Sequence, residues 1–174
     1  MKSFMIFLMT LVVYILQTAL FNQISILGVH PEIGIAFIVT LGLLDGMFFG
    51  GVTGLFYGAL IGLVFSVTRL EMFFMAFEYA AVGVLAGYFV DHVSNAPWIK
   101  AVIFAFLGYL VKEVINIIPM LILKIHVSFG PFVLRVLLGA LFTAVLMIGM
   151  HFLMVRIHRF RFMRAQEDDR IFVR

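Results

Sequence analysis

This chain reads as an all-α polytopic membrane protein, six transmembrane helices in one bundle with both termini cytoplasmic. Three observations predict it. Of its 174 residues 64% are hydrophobic and 12% charged, with a mean hydropathy of +1.19, which is too apolar for a soluble domain. The apolar residues fall into six runs, each near the roughly 20 residues that cross a bilayer core of about 30 Å. Lysine and arginine are distributed unevenly among the connections between them.

The first span is expected over 4–21. Residues 1–21 hold one lysine, Lys2, and no small-x-small cleavage site. Five more apolar runs follow, so it reads as a retained helix and not a signal peptide. The second span starts at Glu32 and ends near Phe48, where Asp45 and the glycines after it suit a helix end, a tight turn or the start of the next helix. The third covers 50–67, the fourth 72–90, the fifth 99–123 and the sixth 130–156. Residues 1–156 are thus a transmembrane domain, and 157–174 a short basic cytoplasmic tail. With no cysteine in the chain, disulfides, thiolate metal sites and cysteine nucleophiles are excluded together.

With both termini inside, the inner face holds Lys2, Lys100, Arg156, Arg159, Arg161, Arg164, Arg170 and Arg174, and the outer loops hold only Arg69 and Lys124. That bias sets the orientation. The sole tryptophan, Trp98, then lies beside Pro97 and Lys100 at the inner interface, where an indole keeps its ring apolar and its N–H wet. The tail RIHRFRFMRAQEDDRIFVR alternates basic and aromatic residues before an acidic patch. It suits a topology signal resting on anionic lipid headgroups; nucleic acid is not an expected partner.

Glycine recurs at 46, 50, 54, 58 and 62. An interior glycine costs a helix about 1 kcal/mol relative to alanine. In lipid the compensation is close approach of backbones, because no hydrophobic force drives helices together there. At about 100° per residue this stripe winds roughly 160° around its helix, more than one straight partner covers. The third helix is therefore expected at the centre of the bundle, with Gly46 lost to the preceding turn. Gly50, Gly54, Gly58 and Gly62, with Gly83 and Gly87 on the fourth helix, form the expected helix-packing or partner surface. Weaker echoes are Ala80 and Ala86 in the fourth helix and Gly139, Ala140, Thr143 and Ala144 in the sixth.

Polar residues inside the spans are expensive and therefore informative. Glu78 lies in the fourth, Tyr109, Lys112, Glu113 and Asn116 in the fifth, and Arg135 in the sixth. At about 1.5 Å per residue all lie in the outer half. The spacing of Tyr109, Lys112, Glu113 and Asn116 puts them on one helix face. Glu78, Glu113, Lys112 and Arg135 sum to zero charge, as buried ion pairs fixing helix register would. The alternatives are a cavity or partner groove opening outward, or a proton or ion path. Asp45 suits a cap at the N-terminus of the third helix.

His30, His92, His126, His151 and His158 lack a second ligand at metal spacing, so no metal or other cofactor is expected. Phosphate-loop, nucleophile-elbow and zinc-protease patterns are absent. No nucleophile has an oriented base, so an enzyme is not expected.

The order of features resembles the MreD family, small polytopic proteins of the bacterial cell-elongation machinery. The matching pieces are Leu16-Gln17, then Ile26-Leu27-Gly28-Val29-His30-Pro31-Glu32, Gly50 through Gly58, and Glu78 through Tyr88. They cover about the first 90 residues, and the remainder agrees by hydropathy alone. One departure is Gly62, in a neighbourhood where the family often carries an acid. The resemblance implies a fold similar to the S-components of energy-coupling-factor vitamin transporters. It also implies a non-enzymatic adaptor in the cytoplasmic membrane that binds MreC and, through the complex, MreB, RodA and a penicillin-binding protein. An S-component holding a vitamin in an outward cavity is the alternative reading.

Overall fold

A computed structural model describes residues 2–25, 28–89, 97–122 and 129–158. The fold is all-helical. Helix α1 (Lys2–Leu16) continues into a π-helical turn, Gln17–Phe21, and is followed by α2 (Ile33–Asp45), α3 (Met47–Phe65), α4 (Arg69–Tyr88), α5 (Pro97–Ile122) and α6 (Phe129–His158). With its π-helical turn α1 is long and apolar enough to cross a membrane, as are α3, α4, α5 and α6; α2 is apolar but only 13 residues long. The chain is a multi-pass membrane bundle. The tail beyond His158, Lys124, His92 and His126 lie outside the described residues.

The centre is α2, not α3. Ile35, Ala36, Phe37, Ile38, Val39, Thr40 and Leu41 are each at most 1% exposed, whereas α3 turns Val52, Leu55, Leu63 and Val64 outward. A helix that is apolar on every side belongs in the interior. The glycines of α3 suggested a central helix because their stripe winds so far, yet α4 runs along it from Gly50 to Gly62 and α2 joins only at Gly50. A Cβ on Gly50 would lie 2.5 Å from the Gly83 carbonyl, one on Gly58 2.5 Å from that of Met75, and one on Gly62 3.0 Å from the Met72 Cα. Gly54 faces the Tyr79 carbonyl in the same way. Along this seam α4 answers with Ala76, Ala80, Gly83 and Gly87, so both helices lack side chains and α4 can follow the stripe. Backbone contact of this kind gains dispersion and weak Cα–H···O contacts.

The seam also reaches α2. A Cβ on Gly42 would stand 2.7 Å from the Gly83 carbonyl, and one on Gly50 would stand 2.8 Å from the Gly42 Cα. Three backbones therefore meet at Gly42, Gly50 and Gly83. Gly46, with φ +86° and ψ 176°, turns the chain between α2 and α3, a conformation that costs a residue with a Cβ about 1–3 kcal/mol.

The chain's length explains the rest. At about 1.5 Å per residue α2 spans about 20 Å, roughly 10 Å less than a bilayer core. Its Asp45 end meets the ends of α1 and α6, since Lys2 and His158 both contact Asp45. The shortfall therefore falls at the Glu32 end, where Val29 is 2% exposed and Pro31 is buried, so the connection folds back into the bundle.

Glycine substitution separates seam from surface. Gly54→Leu and Gly58→Leu should lower the thermal midpoint and yield of the purified protein, because each drives a side chain into an α4 carbonyl. Gly149→Leu on α6, where a Cβ meets nothing within 4 Å, should be tolerated. Equal loss at all three positions, read by thermal unfolding in detergent, would refute the seam.

Candidate functional site

The buried polar groups gather where α2 stops short. Glu32 is the residue before its first turn and does not cap it with its own side chain. Gln17 supplies the cap from the π-helical turn after α1: its Oε1 accepts from the Ile33 N–H at 2.9 Å and its Nε2 donates to the Pro31 carbonyl at 3.2 Å. A free helix N-terminus buried in apolar surroundings needs such a partner. The π-helical turn begins at Gln17 itself, and such local widening often accompanies functional positions.

Lys112 of α5, about 15 Å along its helix from Ile122, reaches across to Glu32. Its ammonium donates to Glu32 Oε1 and, at 3.2 Å, to Glu113 Oε1. It also lies 5.3 Å from the Tyr109 ring centre and 5.9 Å from that of Tyr79. The Tyr79 hydroxyl donates to Glu32 Oε2 at 3.2 Å, so both oxygens of Glu32 are engaged. Charge-assisted bonds and ring faces together fix this ammonium.

Of the buried side-chain atoms without a partner, on His30, Tyr57, Glu78, Thr143 and His151, those of Tyr57 and Glu78 belong to residues tied to this cluster. Glu78 is 1% exposed, and neither carboxyl oxygen has a hydrogen-bond partner; the Tyr57 hydroxyl, fully buried, has none either. The Tyr57 ring stands edge-on to Tyr79 at 5.1 Å.

Sequence reasoning placed Tyr109, Lys112 and Glu113 on one face with Glu78 nearby, and the structure brings these together. It missed Glu32, Gln17, Tyr57 and Tyr79. Glu32 looked like a boundary residue because its depth depends on how short α2 is. The expected neutrality of Glu78, Glu113, Lys112 and Arg135 changes accordingly. Glu32 adds a third acid, and Arg135 is exposed on α6 and joins none of the ion pairs among the described residues. A long guanidinium side chain six residues from a helix end can extend towards the interface. Asn116 is half-buried and makes none of the described hydrogen bonds. The glycines 50, 54, 58, 62, 83 and 87 line the contact of α3 with α4 and with the turn before α3, not an open groove.

Asp45 is not a cap on α3, whose first turn has no side-chain cap. Its carboxylate instead joins the two ends of the chain. Lys2 Nζ lies 2.7 Å from Oδ1, and His158 Nε2 lies 3.1 Å from Oδ2. The other ring nitrogen of His158 faces the Met154 carbonyl at 3.0 Å. A helix carboxylate held by the Lys2 ammonium from α1 and the His158 ring from α6 is better compensated there than by a helix dipole alone.

Among the described residues no group of three or more His, Asp or Glu side chains is placed to hold a metal ion. In comparisons with known proteins no family model, curated protein or solved structure matches this chain.

The pairing gives two measurable expectations. Lys112→Met leaves Glu32 uncompensated and should destabilise the bundle by about 3–5 kcal/mol, while adding Glu32→Gln should recover part of that loss. A double variant no more stable than Lys112→Met in chemical unfolding would rule the pair out. Gln17→Leu should cost about 1–3 kcal/mol through the orphaned Ile33 N–H, read as a lower thermal midpoint, whereas Thr18→Val, which removes only a bond to its own helix, should cost less.

Proposed function

We propose that this chain is a non-enzymatic adaptor of the bacterial cell-elongation complex, seated in the cytoplasmic membrane with both termini inside and binding MreC, as its resemblance to the MreD family implies. The observation that carries the reading is where the resembling segments lie. Gln17 clamps Pro31 and Ile33, Glu32 receives the Tyr79 hydroxyl, and Gly50 through Gly58 pack on Met75 through Gly83. Pieces scattered over the first 90 residues thus make one contiguous unit. That is what a shared structural task requires, and four unrelated small-residue patterns would not be expected to produce it.

The adaptor presents an apolar perimeter to its partner's single membrane helix. The glycine seam is occupied within the bundle, so docking falls to outward faces such as Val52 and Leu55 on α3 and Phe73 and Phe77 on α4. MreB, RodA and the penicillin-binding protein are reached through the complex. An S-component of a vitamin transporter is the second reading. It is favoured by one observation, the unpartnered carboxyl of Glu78 and hydroxyl of Tyr57, which a polar ligand would satisfy.

Single cysteines at Val52, Leu55, Phe73 and Phe77, paired with cysteines along the membrane helix of co-expressed MreC, should crosslink on at least one of these faces. No crosslink from either helix, with both proteins present in the membrane, would sink the docking assignment. A thermal-shift screen against vitamins discriminates the second reading: saturable stabilisation by one vitamin, several kcal/mol far above its dissociation constant, would replace the adaptor with the transporter.

A further inference from the structure

We propose that Glu78 is an exchangeable proton-binding site within the membrane, coupled to the choice that Lys112 makes between Glu32 and Glu78. This inference does not depend on the adaptor reading. It starts from a charge count. In the buried cluster Glu32, Glu78 and Glu113 face one ammonium, that of Lys112, and Arg135 is exposed on the outside of α6. Lys112 is committed to Glu32 and Glu113, and the remaining oxygen of Glu32 is taken by Tyr79. Glu78 is the acid left without a counter-charge or a hydrogen bond, at 1% exposure and about 14 Å along α4 from Arg69.

An uncompensated carboxylate in that setting is among the most costly arrangements a membrane protein can hold. Two ligands remove it, a proton or a cation. A metal is disfavoured because no group of three or more ligating side chains is in place among the described residues. A proton needs no cavity and no further ligands. In the arrangement described, the proton sits on Glu78 and Lys112 sits on Glu32.

The groups facing Glu78 define the switch. Glu32, next to the first turn of α2, and Lys112 and Glu113 of α5 act on Glu78 electrostatically, as Glu78 does on its chain neighbour Tyr79; Tyr57 of α3 and Tyr109 of α5 join the cluster through Tyr79 and Lys112 respectively. Arg135 of α6 and Tyr14 of α1 act on the cluster through Tyr109 and Tyr57 respectively. Among the described residues Lys112 is the cation paired with acids of this cluster. When the O–H bond of Glu78 breaks, the electron pair stays on the carboxylate and the proton leaves to bulk water. The new charge then draws Lys112 from Glu32, and the reverse transfer restores the first state. Glu32 directly precedes the turn that Gln17 caps, so loss of Lys112 loosens the entry to α2. The site thereby links proton occupancy to the conformation of the Glu32 end of the bundle.

Infrared spectroscopy of the full-length protein in phosphatidylcholine vesicles tests this through the C=O stretch of protonated carboxyl groups. At neutral pH the wild type should show one such band inside the protein that shifts in deuterated water and fades as pH is raised. Glu78→Gln should abolish it, and Glu113→Gln should leave it. Glu32→Gln should also weaken or abolish it at neutral pH, because the freed Lys112 moves to Glu78 and replaces the proton. No protonated-carboxyl band in the wild type, or a band that survives Glu78→Gln, overturns the proton site. A band unchanged in a folded Glu32→Gln protein overturns the coupling to Lys112. The wild-type titration decides the proton site even where a variant fails to fold.

Discussion

Everything at the Glu32 end follows from one constraint: α2 is enclosed on all sides and too short to cross the bilayer. A fully surrounded helix cannot deliver its N-terminal N–H groups or its flanking acid to water. They must be satisfied by neighbours, and the neighbours are Gln17 just after α1, Tyr79 of α4 and Lys112 of α5. In lipid each interhelical hydrogen bond is worth about 0.6–2 kcal/mol, which is modest. What makes these contacts decisive is the cost of leaving the same groups unmet in an apolar interior. The polar cluster is therefore first a solution to a length problem, and its chemistry comes from what that solution leaves over.

The glycine seam serves the same end by a different force. Helices gain nothing from hydrophobic burial against one another in lipid, so their approach depends on contact between surfaces that fit. Stripped of side chains, α3 and α4 touch through backbone from Gly62 and Met72 to Gly50 and Gly83, and Gly42 brings α2 into the same contact. Close packing at the Asp45 end is thus nearly independent of charge. Asp45 adds to it by joining Lys2 and His158, so both ends of the described chain are fastened to the C-terminus of α2.

Much of this was legible in the sequence, and the failures have identifiable physical origins. The six helices and the turn at Gly46 could be read because lipid enforces length and apolarity, and because a glycine between two apolar runs marks a break. The shared face of Tyr109, Lys112 and Glu113 followed from helical spacing alone. Glu32 was missed as a partner because hydropathy reports where an apolar run begins and not how deep that point lies. The winding of the glycine stripe was counted correctly, but the inference to a central α3 assumed a partner with ordinary side chains. Because α4 carries Ala76, Ala80 and Gly83 at the facing positions, it follows the stripe from Gly50 to Gly62, and α2 is needed only at Gly50. Arg135 was assigned to the cluster by depth, when its reach allows the charge to leave.

The two ends of α2 are held by different kinds of interaction, and this has a mechanical consequence. At the Asp45 end backbones meet at Gly42, Gly50 and Gly83, a contact that no side-chain rotation can release, and the pairs of Asp45 with Lys2 and His158 add to it. At the Glu32 end large rings intervene: Tyr57 fills the space a Cβ on Gly34 would need, Tyr79 packs edge-on against it, and Tyr109 lies under Lys112. There the helix is held by side-chain hydrogen bonds and one ammonium, each of which can change partner without unfolding the bundle. A signal that moves α2 relative to its neighbours must therefore act at the Glu32 end, with the glycine contact as its fixed point. Among the described residues Lys112 of α5 bonds both Glu113 of its own helix and Glu32 at the entry to α2, so its position decides whether those two helices are tied together.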